Sequence, residues 1–594
     1  MNIFTLSTIW RLVKLRPSLL TIIKTTVIVV GAILTPVTLL GAFVGFRRAQ
    51  RRFTDEEHGA VTFFNGRISA LNILGAVLFA VIFWAIIFLC ISVVSSAAEA
   101  NRNSYGPPSK LIPWLIVNGV LSSILMGGYL FFLAKRQRLE QEKSRHGTAR
   151  LGNANDVIEH ITLEGIYIGG AYSLNEMGHI MTVGSTRSGK GTNLIIPALL
   201  DIRNYAGSWV IIDPKGENAA ITAGYQISKG QHVHFLDPWG LHTDTPDTYN
   251  PLDFVRMGDD LADDAMVIAE MIVPADTAGP DRFWSDRARS LIAGLIMHIK
   301  QSDMTLNDLF SMLRLEESAF ALLAKNLQSN PNPVIAATGN EIVSGLKNEK
   351  MFTSIMATAL QYTDFLKSPA LQYNMEKSSF EMADLTKGKT TLYIIVPADK
   401  LHSHYQWLRL ISTCSMMTAV RHHDEKVTFL LDEFANLGNL PNVASGLAYM
   451  AGYNITLWMV LQSLPQLRNL YRDHWEDFIA NTFVKQYVGI ADNFTAEYVS
   501  QSTGGMTFMT VDEGDKSNPH SQTRYNSSQR LVMTPEEAKG NTENHILLQI
   551  GKAPTLVIPK RPYFLMEKLK TRAAANPMHQ AATEPQSVTG SAPA

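Results

Sequence analysis

The chain has few cysteines and no excess of charge of either sign. Its 594 residues include two cysteines, Cys90 and Cys414, and neither stands in a CxxC pattern. The sequence therefore predicts no disulfide framework and no cysteine-based metal site. The formal net charge is −1, and charged residues make up 18% of the chain, below the ~25% typical of soluble domains. Because there is no global basic field, any contact with nucleic acid has to come from a local patch or a pore.

The deficit of charge is concentrated near the N-terminus, in three long apolar runs. They cover residues 25–46, 68–98 and 111–134 and contain no charged side chain. Each is longer than the ~20 residues that cross a bilayer as a helix, so residues 1–140 are predicted to be a membrane anchor. Pro36 and three glycines interrupt the first run, which leaves a full span, an interfacial or re-entrant segment and a buried core helix open for it.

Basic residues beside these runs predict their orientation. Six lysines and arginines lie in residues 135–150 and five arginines in the 47–67 loop, whereas the 99–110 loop has two basic residues. The positive-inside rule then places the remainder of the chain in the cytoplasm. The same rule leaves two or three spans, and the side of the N-terminus, undecided.

A glycine-rich loop follows the membrane segment. Ile180–Gly184 predicts a short buried strand, and the apolar run Leu194–Leu200 predicts a helix. The residues between them match GxxxxGK, the loop whose backbone N–H groups surround phosphates at a helix N-terminus. Lys190 is expected to reach the β- and γ-phosphates. The predicted nucleotide-binding residues are Gly184, Ser185, Thr186, Arg187, Ser188, Gly189, Lys190, Gly191 and Thr192.

The loop departs from the common pattern at one position. Gly191 stands where a serine or threonine hydroxyl usually binds Mg²⁺. Thr192 is the nearest hydroxyl and is the predicted substitute. The departure weakens the prediction for the metal and leaves the prediction for the phosphates unchanged.

Two further apolar strands end in polar residues. Val427–Leu431 precedes Asp432 and Glu433, the arrangement in which one acid binds Mg²⁺ and the next activates water as general base. Ile455–Leu461 precedes Gln462, which either senses the γ-phosphate and orients water or only caps the strand. We therefore predict Lys190, Glu433 and Gln462 as catalytic residues, and Asp432 and Thr192 as metal ligands.

The spacing of these motifs predicts an inserted domain, because Lys190 and Asp432 are 242 residues apart (190 to 432). Residues 255–385 lack long β-rich runs and are predicted to form an all-α domain. Residues 141–254 and 386–570 are predicted to form the α/β nucleotide-binding domain. Asp512–Arg530 is polar and predicts a loop. Residues 571–594 are rich in Ala, Pro, Ser, Thr and Gln and predict a disordered tail.

Six motifs in order resemble one known family, the type IV secretion coupling proteins of the TraG/TraD kind. They are His146–Arg150 (HGTAR), residues 184–191 (GSTRSGKG), Asp213–Glu217 (DPKGE), Asp432–Gly438 (DEFANLG), Gln462–Leu467 (QSLPQL) and Arg530–Pro535 (RLVMTP). Glycine after the loop lysine is common within that family, so the departure at Gly191 looks like a family trait.

The resemblance implies a RecA-like ATPase domain with an all-helical domain facing the cytoplasm, binding ATP and Mg²⁺. It also implies a homo-hexameric ring in the bacterial inner membrane, anchored by several spans. Such a ring passes a relaxase–DNA complex (the relaxosome) or effector proteins to the inner-membrane components of a type IV secretion channel. The family usually has two spans, so the third apolar run departs from it.

Several functional points stay open at the level of sequence. The sequence does not decide whether the substrate is DNA or protein. In a ring, an arginine of the neighbouring subunit usually stabilises the transition state of hydrolysis, and the sequence does not choose between Arg409 and Arg468 for that part. The alternative function is a membrane receptor or scaffold gated by nucleotide, without its own pumping activity; the presence of both Asp432 and Glu433 argues against it. A septal chromosome motor is disfavoured, because the C-terminal tail is too short and polar for a winged-helix module.

Overall fold

The computed structural model describes residues 147–176, 178–274, 282–512 and 524–576. Across those four ranges no helix is long and apolar enough to cross a membrane. The three apolar runs predicted as a membrane anchor lie outside the described residues. The described residues all belong to one compact unit.

The described part of the chain contains thirteen β-strands. They are β1 Ile166–Gly169, β2 Tyr172–Leu174, β3 His179–Val183, β4 Ser208–Asp213, β5 His232–Leu236, β6 Thr390–Ile395, β7 Val427–Leu431, β8 Ile455–Leu461, β9 Thr482–Tyr487, β10 Gly505–Asp512, β11 Arg524–Leu531, β12 His545–Ile550 and β13 Leu556–Pro559. Nine of them form one sheet, and β1–β2 and β10–β11 form two separate antiparallel hairpins.

The large sheet has the order β13-β12-β9-β3-β8-β7-β4-β6-β5. The seven strands from β9 to β5 are parallel, and β12 and β13 add an antiparallel edge. All residues of β3, β4, β6, β7 and β8 are buried. Such continuous apolar strands are typical of a parallel sheet covered by helices on both faces.

The α-helices of the described residues divide between the sheet and the insert. They are α1 Ile196–Leu199, α2 Glu217–Ser228, α3 Leu261–Ile272, α4 Arg282–Gln301, α5 Leu306–Met312, α6 Glu317–Gln328, α7 Pro333–Leu346, α8 Glu349–Tyr362, α9 Pro369–Asn374, α10 Tyr405–His422, α11 Pro441–Met450, α12 Leu464–Tyr471, α13 Trp475–Ala480, α14 Asn493–Ser502, α15 Pro535–Asn544 and α16 Glu567–Lys570.

Local sequence explains where several of these helices begin. Thr305 and Thr534 form capping boxes with an acidic residue three positions later, before α5 and α15. Asn332 caps α7, whose first residue is Pro333. These side chains satisfy N–H groups that have no partner inside the helix, and proline costs nothing at that position.

The insert is helical, as the sequence predicts. Between β5 and β6 the described residues contain helices α3 to α9 and no strand. The buried faces of α3, α4, α7 and α8 belong to the same apolar core as one face of the sheet. The insert is thus packed continuously against the nucleotide-binding domain and is not a detached module.

Two C-terminal predictions need correction. Residues 524–530, predicted as part of a loop, belong to β11, which pairs with β10 over eight residues. The tail, predicted to be disordered from residue 571, is ordered through residue 576: the N–H of Ala574 donates to Ile221 O at 3.0 Å, and Asn576 Nδ2 donates to Glu217 Oε1 at 2.7 Å. Residues 577–594 lie outside the described residues. The amino-acid composition of residues 571–576 does not predict their order, because the residues that they contact, Ile221 and Glu217, are distant in the sequence.

Candidate phosphate-binding and catalytic site

The sheet brings the predicted motifs to one edge. β3 pairs with β8 so that Val183 lies opposite Leu461, and β7 pairs with β8 so that Leu431 lies opposite Met459. Because the strands are parallel, their carboxyl ends deliver the phosphate loop, Asp432 and Gln462 to the same side. Ligands bind at this edge in open parallel sheets.

The loop glycines are required by close approach. A Cβ on Gly184 would lie 2.1 Å from Val488 O, and a Cβ on Gly189 would lie 2.5 Å from Asn193 Nδ2. Gly189 also has a φ of +92°, and Arg187 has a φ of 61°, so the backbone curls through the left-handed region twice. Such curled segments turn successive N–H groups toward an anion.

Lys190 is held against the loop that it completes. Its Nζ donates to Gly184 O at 2.5 Å and to Ser185 O at 3.2 Å. Burial lowers the pKa of Lys190, and the carboxylates of Glu433 and Asp432 oppose that shift. The ammonium therefore contacts the loop and lies within electrostatic reach of the two acids that follow β7.

The helix after the loop begins irregularly. Gly191–Ile195 is a π-helical turn that leads into α1. The Thr192 hydroxyl donates to Gly189 O at 3.3 Å and accepts a bond from Asn193 Nδ2 at 3.1 Å. Thr192 thus faces the loop backbone in this conformation, and its role as a metal ligand stays a prediction. Nothing lies within 4 Å of a Cβ placed on Gly191, so the missing side chain there is not a steric requirement.

Glu433 and Gln462 contact each other directly. Gln462 Nε2 donates to Glu433 Oε2 at 2.9 Å. Glu433 has φ 58° and ψ 47°, a left-handed conformation that is strained for a residue with a side chain and is concentrated at functional sites. The structure therefore brings together Lys190, Glu433 and Gln462, which the sequence predicted from three separate segments.

A buried acid, Asp213, and a half-buried acid, Asp432, follow neighbouring strands at this edge. Burial and the neighbouring Glu433 raise the pKa of Asp432 to about 6. Burial also raises the pKa of Asp213, at the end of β4, to about 7, and the charge of Asp432 adds to that shift. Asp213 Oδ2 accepts the N–H of Ala219 at 2.8 Å, so its direct contact is with the start of α2.

The shift at Asp213 predicts a pH-dependent stability. Its pKa in the folded chain is above the ordinary value, so its contribution to stability is full at low pH and is lost as pH rises from that ordinary value through about 7. Between pH 5 and pH 8, Asp213→Asn should remove about 3 kcal/mol of this loss, because the amide keeps an acceptor for Ala219 without a charge. Unfolding of the full chain at pH 5 and pH 8 measures this. The exposed Asp244→Asn is the matched control, and equal pH slopes for Asp213→Asn and wild type would contradict the assignment.

The two candidate arginines have different surroundings. Arg409 is 1% exposed and donates through Nε to Met271 O at 2.7 Å, so it is not available to a neighbouring subunit. Arg468 is exposed, and its guanidinium carbon lies 5.2 Å from the centre of the Phe494 ring, beside Arg472 in an open groove. Of the two, the structure leaves Arg468 accessible.

Some residues that support the loop belong to no motif, and sequence reasoning missed them. The N–H and Oγ of Ser185 both donate to Gly489 O, at 3.2 Å and 2.7 Å. Gly489 follows β9, the strand on the other side of β3. The order of the strands identifies it, because the turn after β9 must lie beside the loop after β3.

The donors at this site fit a nucleotide with its metal. Loop N–H groups and Lys190 suit phosphate oxygens, Asp432 offers a carboxylate for Mg²⁺, and the Glu433–Gln462 pair can orient water. A parallel sheet with these groups at its carboxyl edge and helices on both faces defines the class: a RecA-like P-loop nucleotide-binding fold.

Comparison with known proteins narrows the class to a family. The sequence model of the family described as "Type IV secretory system Conjugative DNA transfer" matches residues 133–586. This chain belongs to that family of coupling proteins. The resemblance drawn from six short motifs is therefore confirmed over most of the chain.

Individual relatives agree with this assignment. A conjugal transfer protein TraG of Escherichia coli is 26% identical over 513 residues, covering 75% of this chain and 78% of the relative. VirD4 of Rhizobium radiobacter is 24% identical over 462 residues, covering 72% and 65%. The structure of the coupling protein TrwB in complex with ADP and Mg²⁺ is 15% identical, with a TM-score of 0.54 over 70% of this chain and 93% of TrwB. At that identity the likeness to TrwB shows the fold.

Proposed function

We propose that this chain is an ATPase of the bacterial inner membrane that uses ATP hydrolysis to drive substrates into a type IV secretion channel. The substrates are DNA carried in a relaxosome, effector proteins, or both. The chain works as a homo-hexamer with several membrane spans and with its nucleotide-binding domain in the cytoplasm. Membership of the family and the charge-free runs at residues 25–46, 68–98 and 111–134 support this proposal.

The observation that carries the enzymatic part is the contact between Glu433 and Gln462 beside Lys190. A receptor that only binds nucleotide needs the loop and its lysine. It does not need a glutamate in a left-handed backbone conformation whose carboxylate accepts a hydrogen bond from a neighbouring amide. General bases need such fixed geometry before their pKa matters.

Each residue has a part in the proposed chemistry. The amides of residues 184–190 and the Lys190 ammonium bind the phosphates, and Asp432 holds Mg²⁺. The metal, when bound, neutralises charge that develops on the phosphoryl oxygens. Glu433 accepts a proton from the attacking water, and Gln462 keeps the Glu433 carboxylate in place.

Turnover of ATP by the purified full chain, with and without single-stranded DNA, tests the proposal. We expect hydrolysis that rises with DNA and is absent in Lys190→Ala, because that variant lacks the cation for the β- and γ-phosphates. A rate of hydrolysis that does not change when DNA is added would favour protein substrates over DNA. Bound nucleotide with no turnover under any condition would favour the alternative, a nucleotide-gated receptor or scaffold.

A further inference from the structure

A lysine from the C-terminal segment contacts the phosphate loop. Lys560 directly follows β13, and its Nζ donates to Ser188 O at 2.9 Å and to Glu543 O at 2.7 Å. The side chain is partly buried, and within the described residues it has no ion-pair partner. Burial lowers the pKa of Lys560, and the charge of Glu543 opposes that shift. A second ammonium group thus lies against the loop that contains Lys190.

The bond to Ser188 fixes one peptide plane of the loop. The carbonyl of Ser188 and the N–H of Gly189 belong to the same planar peptide and point in opposite directions. Because Lys560 Nζ donates to this carbonyl, the Gly189 N–H points away from Lys560. Gly189 has a φ of +92° and no side chain to restrain it, so this peptide depends on an external bond for its orientation.

The other end of the contact is the last turn of α15. Glu543 lies one residue before the end of that helix, where unpaired carbonyls carry partial negative charge. The same turn supports the loop by a second route: the N–H of Gly489 donates to Thr542 O at 2.9 Å, and Gly489 O accepts from Ser185. Lys560 therefore joins the phosphate loop to the helix turn that supports it.

Packing holds Lys560 in this position. C-terminal to Lys560, Tyr563 and Leu569 are buried in one cluster with Ile196 and Leu200. Ile196 is the first residue of α1, and Leu200 directly follows that helix. Arg572 Nη1 donates to Leu200 O at 2.7 Å, at the end of that helix. The segment from 560 to 576 is thus fastened to the helix that follows the phosphate loop, and Lys560 is not a freely moving surface lysine.

We propose that Lys560 is a positioning residue for nucleotide binding. It fixes the Ser188–Gly189 peptide so that the Gly189 N–H faces the phosphates, and its third N–H and its charge add to the field of Lys190. This inference rests on the nucleotide site of the proposed function, and it does not require that the nucleotide be hydrolysed.

Equilibrium binding of MgADP and MgATP to the purified full chain tests the role of Lys560. We expect Lys560→Met to raise both dissociation constants about tenfold, the effect of losing one charge-assisted hydrogen bond. Lys560→Arg, which keeps the charge and can reach the same carbonyls, should stay close to wild type. Lys568→Met, an exposed lysine of the same segment, is the control and should bind normally. If the chain hydrolyses ATP, KM should rise in Lys560→Met while kcat stays near wild type, since Glu433 and Gln462 are untouched.

The outcomes separate this inference from the proposed function. Wild-type affinity in Lys560→Met overturns the inference, whether or not the melting temperature falls, because a merely structural lysine would change stability alone. If that variant does not fold, Lys560→Gln is measured in the same way. Weak binding by Lys190→Ala beside normal binding by Lys560→Met overturns only the role of Lys560. If the wild-type chain binds nucleotide but never hydrolyses it, the proposed ATPase function is wrong. The binding measurements on Lys560→Met still test the role of Lys560 in that case.

Discussion

Replacing Glu433 by glutamine should lower the rate of ATP hydrolysis at least about 100-fold and leave ATP bound, because a general base contributes at least this factor. The amide has the size of the carboxylate and can keep a contact with Gln462, which now lies 2.9 Å from Glu433 Oε2. It cannot accept the proton of the attacking water. The contacts of Lys190 with Gly184 and Ser185 do not involve Glu433, so the phosphate site should remain intact.

The measurement is steady-state hydrolysis beside equilibrium binding of MgATP, on the full chain. Glu425→Gln is the matched control, since Glu425 is an exposed acid near the opposite end of the same strand, β7. A variant at 433 that hydrolyses like the wild type would show that Glu433 is not the base. If the wild type itself binds ATP without turnover, and Lys190→Ala fails to bind it, the receptor or scaffold becomes the better description of the chain.

The motifs were predictable because they are local. A phosphate loop is a run of seven positions between a strand and a helix, and residues 184–190 contain every glycine that the backbone requires. Asp432 and Gln462 each follow an apolar, β-rich run, so this pattern alone predicts their strands and the edge at which they meet. The contact between Gln462 and Glu433 follows from the pairing of β7 with β8.

Long-range contacts were not predictable in this way. Lys560 contacts Ser188 across 372 positions of sequence, and nothing near Lys560 resembles a nucleotide motif. Within the sheet, Trp458 Nε1 of β8 donates to Thr182 Oγ1 of β3 at 2.8 Å, and the Thr182 hydroxyl donates to Gln486 Oε1 of β9. In sequence these are ordinary strand residues. Their partners depend on the strand order β9-β3-β8, which hydrophobic periodicity does not specify.

Arg409 is one of the two arginines between which the sequence does not choose, and replacing it is expected to lower the stability of the fold. It lies in α10, near the motif strands, which made it a candidate for catalysis in a neighbouring subunit. In the structure it is 1% exposed and donates to the carbonyls of Met271 and Ile272, the last residues of α3. These carbonyls have no partner within their own helix, and a cation there also meets the negative end of the helix dipole.

Arg409→Met should therefore destabilise the chain by about 3 kcal/mol, because two buried carbonyls lose their donors and methionine replaces only part of the packing. Burial lowers the pKa of Arg409 to about 10, so the guanidinium stays charged at neutral pH and the bonds are charge-assisted. Thermal unfolding of the full chain beside Arg287→Met, an exposed arginine of α4, measures the loss. The loss should appear without nucleotide and without any other subunit. An Arg409→Met variant that keeps wild-type stability but no longer hydrolyses ATP would instead show that Arg409 takes part in catalysis. In that case α3 and α10 would have to separate when the chain assembles, so that Arg409 becomes accessible to a neighbouring subunit.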